Sequence, residues 1–397
     1  MPGAQHRSSP IEPSDAAIHV ELSGRLNGAA GFEVAFVGDT AFGESYEAAR
    51  VRRDDAPILD GRDYSRFVAG VRHLVAGADF TIANLETPLT RAISSPLEGT
   101  KRYLHRGEPS RTVEALRELG VRAVSLANNH AADYGVAGLE DTIDALGGGR
   151  IIPLGAGRTS ARAAQPLILE MHGHARTERL AIVAAYDVRP PHESLYGDDL
   201  VGMALNRVEQ DNVADKIAEL RRQDPDLTIV AFLHWGRNYL RVTKRQRLLA
   251  RTLIGAGASL IIGHGAHTIQ SIERIGSGVV VYSLGNFVFN SPGRFGLFGA
   301  DPFGFVARLL VRSANGRSSV LRLHPILTNN LLTTYKPRPV SPQDIAAIGA
   351  KYGNGLSGIR IVAHRGFIEL TLPSIESRAT TRIGYDASDR RFRLARE

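Results

Sequence analysis

The chain predicts an α/β sandwich, on three observations. Short apolar runs alternate with helical patterns from Phe32 to Leu284, the mark of βα units. Five of those runs stop abruptly at polar side chains able to bind a ligand or metal. After Phe289 the pattern changes to paired strands and one short helix, which predicts a C-terminal α+β extension on the same body.

Taken in order, residues 1–31 read as a partly loose N-terminal extension, with Ile18, Val20 and Leu22 alternating as an edge strand. Phe32 to Val37 is a strand that ends at Gly38-Asp39. Phe67 to Ala76 has helical spacing. Ala78 to Ala83 is a strand that ends at Asn84-Leu85-Glu86-Thr87-Pro88, where the proline stops regular structure. Leu89 to Pro109 has little periodicity and carries Lys101, Arg102, His105 and Arg106. A loop of that length in a compact domain is often functional, so it is placed beside the site.

Arg111 to Leu119 is helical, and Val121 to Leu126 is a buried strand delivering Asn128-Asn129-His130, followed by a helix from about Ala137 to Leu146. Leu180 to Tyr186 ends at Asp187. A helix from about Val208 to Gln223 precedes the strand Leu227–Leu233, which ends at His234-Trp235-Gly236. The helix Lys244–Ile254 and strand Ser259–Ile262 lead to Gly263-His264-Gly265-Ala266-His267. Gly278 to Leu284 is a strand ending at Gly285-Asn286-Phe287. Phe303 to Pro325 reads as antiparallel strands, Ser341 to Tyr352 as a helix, and Ile359 to Leu372 as a strand pair. The expected organisation is an extension over 1–31, a main domain over 32–325 and a C-terminal cap over 326–397 packed on that domain.

Composition narrows the chemistry. The 397 residues include no cysteine, so disulfides, thiolate metal sites and thiol catalysis are excluded. Any metal must be held by His, Asp, Glu or Asn, which favours hard or borderline divalent ions. The net charge of +7 is spread over dispersed arginines rather than one basic face, which points away from nucleic acid and towards an anionic small-molecule or peptide-like substrate. The first 30 residues contain no apolar core of a secretory signal, and no apolar run reaches the roughly 20 residues needed to span a bilayer. A cytoplasmic protein is expected, and a homo-oligomer is compatible with this composition.

The strand ends carry the functional argument. An Asp or Asn after one strand is usually a turn residue, and a lone His is more often structural than a ligand. Five strand ends bearing Asp39, Glu86, Asn129, His234, and His264 with His267 are a different matter. In open α/β sheets, ligands bind at the carboxyl ends of strands, so one sheet edge gathers carboxylate, amide and imidazole groups suited to divalent metals. Trp235 is read either as packing in the site wall or as a substrate contact. Asp187 is a secondary candidate, while His172 and His174 read as turn residues and His73 and His324 as structural ones. No phosphate-binding loop with its lysine occurs, and no Gly-x-Ser-x-Gly nucleophile elbow.

Six ordered segments carry a resemblance. Gly38-Asp39-Thr40, Asn84-Leu85-Glu86-Thr87-Pro88, Asn128-Asn129-His130 with Asp133-Tyr134-Gly135, His234-Trp235-Gly236, Gly263-His264 with His267, and Ser283-Leu284-Gly285-Asn286-Phe287 together resemble the CapA family. These are poly-γ-glutamate capsule synthesis proteins, a branch of the calcineurin-like metallophosphoesterase superfamily. The resemblance spans roughly Phe32 to Asn290. It implies a four-layer α/β/β/α metallophosphoesterase-like sandwich with one or two divalent ions (Mn, Zn, Fe or Mg) at the strand ends.

By that resemblance, Asp39 binds the first metal, Glu86 bridges, and Asn129 and His234 bind the second. His267 joins the first metal and His264 the second. His130 is the implied proton donor or oxyanion stabiliser. Asn84 and Asn286 orient the reacting centre, and Lys101 and Arg102 hold an anionic substrate. The implied reaction is attack by metal-activated water on a phosphoester or a γ-glutamyl-like amide. This sequence departs from the wider superfamily pattern at three places. Ala41 stands where that pattern has His, Glu86 where it has Asp, and the last two histidines are one residue further apart. Two other function classes remain open: a non-catalytic subunit of a polyglutamate-type biosynthetic or export complex, and a bond-forming enzyme acting on a carboxylate.

Overall fold

In the computed structural model, the described residues are 17–22, 31–43, 64–172, 177–188, 204–208, 213–312, 318–373, 384–385 and 392–393. Two large sheets stack face to face. The first holds ten strands. Its continuous path runs β18 (Ile361–Ala363), β19 (Ile368–Thr371), β16 (Val320–Leu327), β15 (Phe303–Val311), β2 (Phe32–Ala41), β3 (Phe80–Leu85), β4 (Val121–Ser125), β5 (Ile152–Leu154). Two further strands join it off that path: β14 (Asn286–Phe289) on β2, and β17 (Arg338–Pro339) on β16. The second sheet holds seven, in the order β1 (Ile18–Glu21), β7 (Leu167–His172), β8 (Thr177–Tyr186), β10 (Thr228–His234), β11 (Leu260–His264), β13 (Gly278–Val281), β12 (Ile272–Ile275). Two-residue pairs, β6 (Ala156–Gly157) with β9 (Ala204–Leu205) and β20 (Gly384–Tyr385) with β21 (Phe392–Arg393), complete the numbering.

Three apolar layers make this a four-layer α/β/β/α sandwich. Successive side chains of a strand face opposite ways. On β2, Val34 and Phe36 enter the layer between the sheets, while Ala35 and Val37 enter the layer beneath the helices Pro109–Glu118 and Gly135–Gly148. On β10, Val230 and Phe232 meet the first sheet, with Phe36 and Phe232 ring centroids 5.7 Å apart. Ile229, Ala231 and Leu233 face the helices Val213–Gln223 and Lys244–Gly255. Both faces of these central strands are covered, which is why they read as continuous apolar runs. Emptying one of the central rings, as in Phe36→Ala, would cost about 3–5 kcal/mol.

Several local expectations change. The pattern over Phe67–Ala76 resolves into two single turns, Ser65–Val68 and Arg72–Val75. Gly70 lies between them against the Pro337 carbonyl, 2.4 Å from where a Cβ would sit, and that close approach interrupts the helix. Of the helix expected from about Val208, the described part is Val213–Gln223, and the Val208 amide bonds to the Tyr186 carbonyl. The strand from Gly278 stops at Val281. Strand β7, which lies between β1 and β8, lacked a clear sequence signal. Strands β15 and β16 do not stand apart; β15 pairs antiparallel with β2 over Val306–Val311, and β16 and β19 extend the same sheet. His174 lies outside the described residues.

Candidate metal and hydrolytic site

The parallel strands of both sheets point their carboxyl ends the same way, and each sheet contributes polar side chains there. On the first sheet, Asp39 sits beside Asn84 of β3 and Asn286 of β14 in register. On the second, His234 lies beside His264. The Gly265 amide joins the sheets, donating to Asp39 Oδ1 at 2.9 Å and Oδ2 at 3.1 Å. Gly265 has φ +95°, and a Cβ there would lie 2.8 Å from the His234 ring, so only glycine lets that amide reach the carboxylate.

Asp39 is fully buried. Asn84 Nδ2 donates to its Oδ1 at 2.9 Å; His264 Nδ1 is 3.6 Å from the same oxygen and His267 Nδ1 is 3.2 Å from Oδ2. Burial pushes this carboxyl up, but the His267 hydrogen bond, the nearby His267 and His234 charges and the Asn84 amide outweigh it and hold it below its ordinary value. Glu86 is equally buried and stands differently. Neither of its oxygens has a hydrogen-bond partner, and burial followed by the Asp39 charge drives its carboxyl well above the usual range. Its Oε1 lies 3.8 Å from His234 Nε2, 3.8 Å from His267 Nε2 and 4.0 Å from His130 Nε2.

The imidazoles are oriented by their other nitrogens. His267, in a left-handed backbone conformation at φ +58°, has Nδ1 2.9 Å from Asn286 Oδ1, which places the Nε2 lone pair towards Glu86. His234 and His264 face each other Nδ1 to Nδ1 at 3.2 Å, with Asn84 Nδ2 3.4 Å from His234 Nδ1. Burial, reinforced at His234 by its neighbour His264, holds both rings well below their ordinary pKa, in the neutral form that binds cations. Two groups of donor atoms form: Asp39 with His234 and His264, and Asp39 with Glu86 and His267, each within 4.8 Å mutually.

The opposite wall is a closed hydrogen-bond network. His130 Nδ1 is 2.6 Å from Asp133 Oδ2, which fixes the ring with Nε2 towards Glu86. Asp133 also accepts from the His105 amide at 2.6 Å and is ion-paired with Lys101. The His105 ring stacks on His130 with centroids 3.6 Å apart and planes 2° from parallel, and its Nδ1 meets the Glu86 backbone carbonyl at 3.0 Å. Asn128 bridges to Asn84 Oδ1 and the Leu85 carbonyl and accepts from the His130 amide. Asn129 is half-buried at the same strand end, and its backbone carbonyl accepts from Lys101 Nζ.

The structure therefore brings together Asp39, Asn84, Glu86, His130, His234, His264, His267 and Asn286. Two other assignments change. Trp235 is not at the site: it is buried in the helix-facing layer and donates from Nε1 to the Tyr282 carbonyl at 2.8 Å. Lys101 is a buried partner of Asp133 instead of an open substrate anchor. Arg102 is exposed, outside the inner cluster, with its guanidinium 5.2 Å from the Tyr103 ring centre. Asp187 is taken up by Arg245, at 2.8 Å from Nε and 2.7 Å from Nη2. His105 and Tyr239 went unassigned; Tyr239, at φ +61°, lies with its ring 5.6 Å from His267. Asp133 was marked in the sequence only as part of the third resembling segment, with no role attached.

The sequence profile of one family matches residues 33–291, and its description is bacterial capsule synthesis protein PGA_cap. The chain belongs to that family. It is 28% identical over 214 residues to the capsule biosynthesis protein CapA of Bacillus anthracis, covering 54% of this chain and 51% of that one. It is 30% identical over 262 residues to a probable polyglutamine synthesis accessory protein of Mycobacterium tuberculosis, covering 64% of this chain and 67% of that one. The chain spans about half the length of the first of these relatives. Among solved structures, a calcineurin-like phosphoesterase from Bacillus subtilis aligns over 78% of this chain and 88% of its own, at 12% identity and a TM-score of 0.37. Likeness that slight carries no chemistry with it. Among the described residues, no helix is long and apolar enough to cross a membrane.

Proposed function

We propose that this protein is a metal-dependent hydrolase acting on an anionic chain, with γ-glutamyl amides as the first substrate class and phosphoesters as the second. The observation that carries the reading is Glu86. A buried carboxylate with neither oxygen hydrogen-bonded costs several kcal/mol unless a cation compensates it. Three imidazole nitrogens at 3.8–4.0 Å and the Asp39 carboxylate supply the rest of a cation cradle. The donor set of carboxylates and neutral imidazoles, with no thiolate, fits Mn, Zn, Fe or Mg.

Asp39, Glu86, His234, His264 and His267 would hold the metal, with Asn129 beside them. When bound, a divalent ion supplies Lewis acidity to the reacting centre and lowers the pKa of water. The remaining work falls to the chain. Asn84 and Asn286 fix Asp39 and His267 in orientation. His130, held at Nδ1 by Asp133, presents Nε2 where it can pass a proton to a leaving group. Purified protein should retain divalent metal, and a screen of γ-glutamyl p-nitroanilides against p-nitrophenyl phosphoesters should find turnover that chelation removes. Undiminished turnover in thoroughly chelated protein would refute this reading.

A second reading, a non-catalytic subunit of a capsule-polymer complex, is supported by Ala41. It is buried at the end of β2 where an imidazole would complete the ligand set. It predicts that His130→Ala still restores polymer formation in a deletion strain.

A further inference from the structure

Beside the metal cradle is a rim with an unusual composition. The Arg294 guanidinium carbon lies 5.7 Å from the Tyr103 ring centre, 5.7 Å from that of Tyr239 and 5.5 Å from that of Phe298. Tyr239 and Phe298 are themselves stacked, 8° from parallel with centroids 5.8 Å apart. The second guanidinium, Arg102, sits 5.2 Å from the Tyr103 ring centre. Tyr103 is thus shared by two cations while remaining 41% exposed. Tyr239 connects this rim to the interior, since its ring is 5.6 Å from His267, whose Nε2 faces Glu86.

Among the described residues, neither arginine makes an ion pair with a carboxylate. Other arginines here do: Arg245 with Asp187, Arg308 with Glu33, Arg322 with Glu369. Rings positioned near a guanidinium restrain its rotation and leave its in-plane N–H groups to bind an oxyanion in bidentate fashion. The backbone points the same way. Tyr239 and His267 are both non-glycine residues at positive φ, a conformation that persists where surrounding structure enforces it and that clusters at ligand sites.

We propose that Arg294 and Arg102, set around Tyr103, are a two-position receptor for successive carboxylates of a polyanionic substrate, holding the chain so that the bond next to the bound carboxylate reaches Glu86 and His267. This deepens the hydrolase reading and rests on it for the reaction, but the receptor can be tested by binding alone. Two cations on one ring suit a ligand with repeated charges better than a single small anion. The shared chemistry is an oxyanion, and inorganic phosphate is the competing source.

The experiment is calorimetric titration of the full chain with a γ-linked hexaglutamate, with the same hexamer carrying α-carboxamides, and with inorganic phosphate, in the presence of Mn²⁺. Wild-type protein should bind the acidic hexamer at least 10-fold more tightly than the amide. Arg294→Gln should weaken it roughly 10- to 100-fold, Arg102→Gln by less, and both should keep wild-type Mn²⁺ affinity, which reports an intact fold and cradle. Arg294→Lys should recover only part of the loss, because charge without the planar fork cannot bind in bidentate fashion. Equal affinity of wild type and Arg294→Gln for the acidic hexamer, or no preference for acid over amide, overturns the proposal. Arginine-dependent binding of phosphate without the hexamer overturns the carboxylate assignment. Arginine-dependent hexamer binding with no cleavage of any substrate upholds the receptor and refutes the hydrolase reading instead.

Discussion

Glu86 is where two walls of polar side chains meet, and the walls follow opposite rules. On one side His130, Asp133, Lys101 and His105 are hydrogen-bonded to one another, so each buried charge has a named partner. On the other side His234, His264 and His267 are packed against Asp39 and Glu86, with two facing Nδ1 atoms 3.2 Å apart and two carboxylate oxygens left over. A satisfied network rigidifies and positions; an unsatisfied one is costly unless something else completes it. The first wall is therefore suited to orient a proton, and the second to hold a cation.

The strongest way to break that comparison is Glu86→Gln. Manganese affinity measured by calorimetry should fall by at least about 100-fold, with turnover lost alongside, because the first-contact oxygen matters more than the outer partners whose loss costs about 10–100-fold. Next comes Asp133→Asn. If the closed wall only positions His130, kcat should drop about 10²–10⁴-fold while manganese affinity stays near wild type. Loss of metal instead would merge the two walls into one cradle.

A third test concerns the metal-free protein. The Glu86 carboxyl is raised in the folded state, so the unfolded chain gives up its proton at lower pH, and folding stability is lost as pH rises through the elevated value. In chelator, Glu86→Gln should be the more stable protein at pH 8, by about 1–3 kcal/mol in denaturant melts. The gap should close below the ordinary carboxylate pKa of 4.5. Added metal should reverse the order.

The smallest effect belongs to an imidazole far from the site. His324 is held at about 4 by burial, then by Arg308, against an ordinary value of 6.5. Its depressed value means stability is full above pH 6.5 and is lost as pH falls towards about 4. His324→Phe should flatten that acid limb by about 1–2 kcal/mol, after allowance for its partial exposure. It shows what burial, with arginines close by, does to a histidine outside the cradle.

Much of the site was visible in the chain because a strand buried on both faces makes an unbroken apolar run, and the first polar residue after it stands out. Asp39, Glu86, His234 and His264 were legible on that ground. The same regularity should have excluded Trp235: neighbouring side chains on a strand face opposite ways, so His234 turned to the site sends Trp235 to the helices. Lys101 was misassigned because a basic residue in an aperiodic loop gives no hint of the buried Asp133 waiting for it. Tyr239 and Arg294 left no trace at all, since their placement depends on a left-handed turn and on a short helix, Phe295–Phe298, whose rings pack against Tyr239. The two-turn break at Gly70 was hidden for a similar reason: the cause is a carbonyl 267 positions away in the chain.

The hydrogen bond from Gly265 to Asp39 joins positions 226 residues apart. Every donor in the cradle depends on that distant meeting, so no fragment released early from the ribosome can hold an ion with native affinity. Loading must follow the docking of one sheet upon the other, a slow non-local step. An ion held there would stabilise the docked state, because only that state offers it all its partners. If the cradle takes an ion, metal supply during synthesis should accordingly govern how long the mature molecule survives.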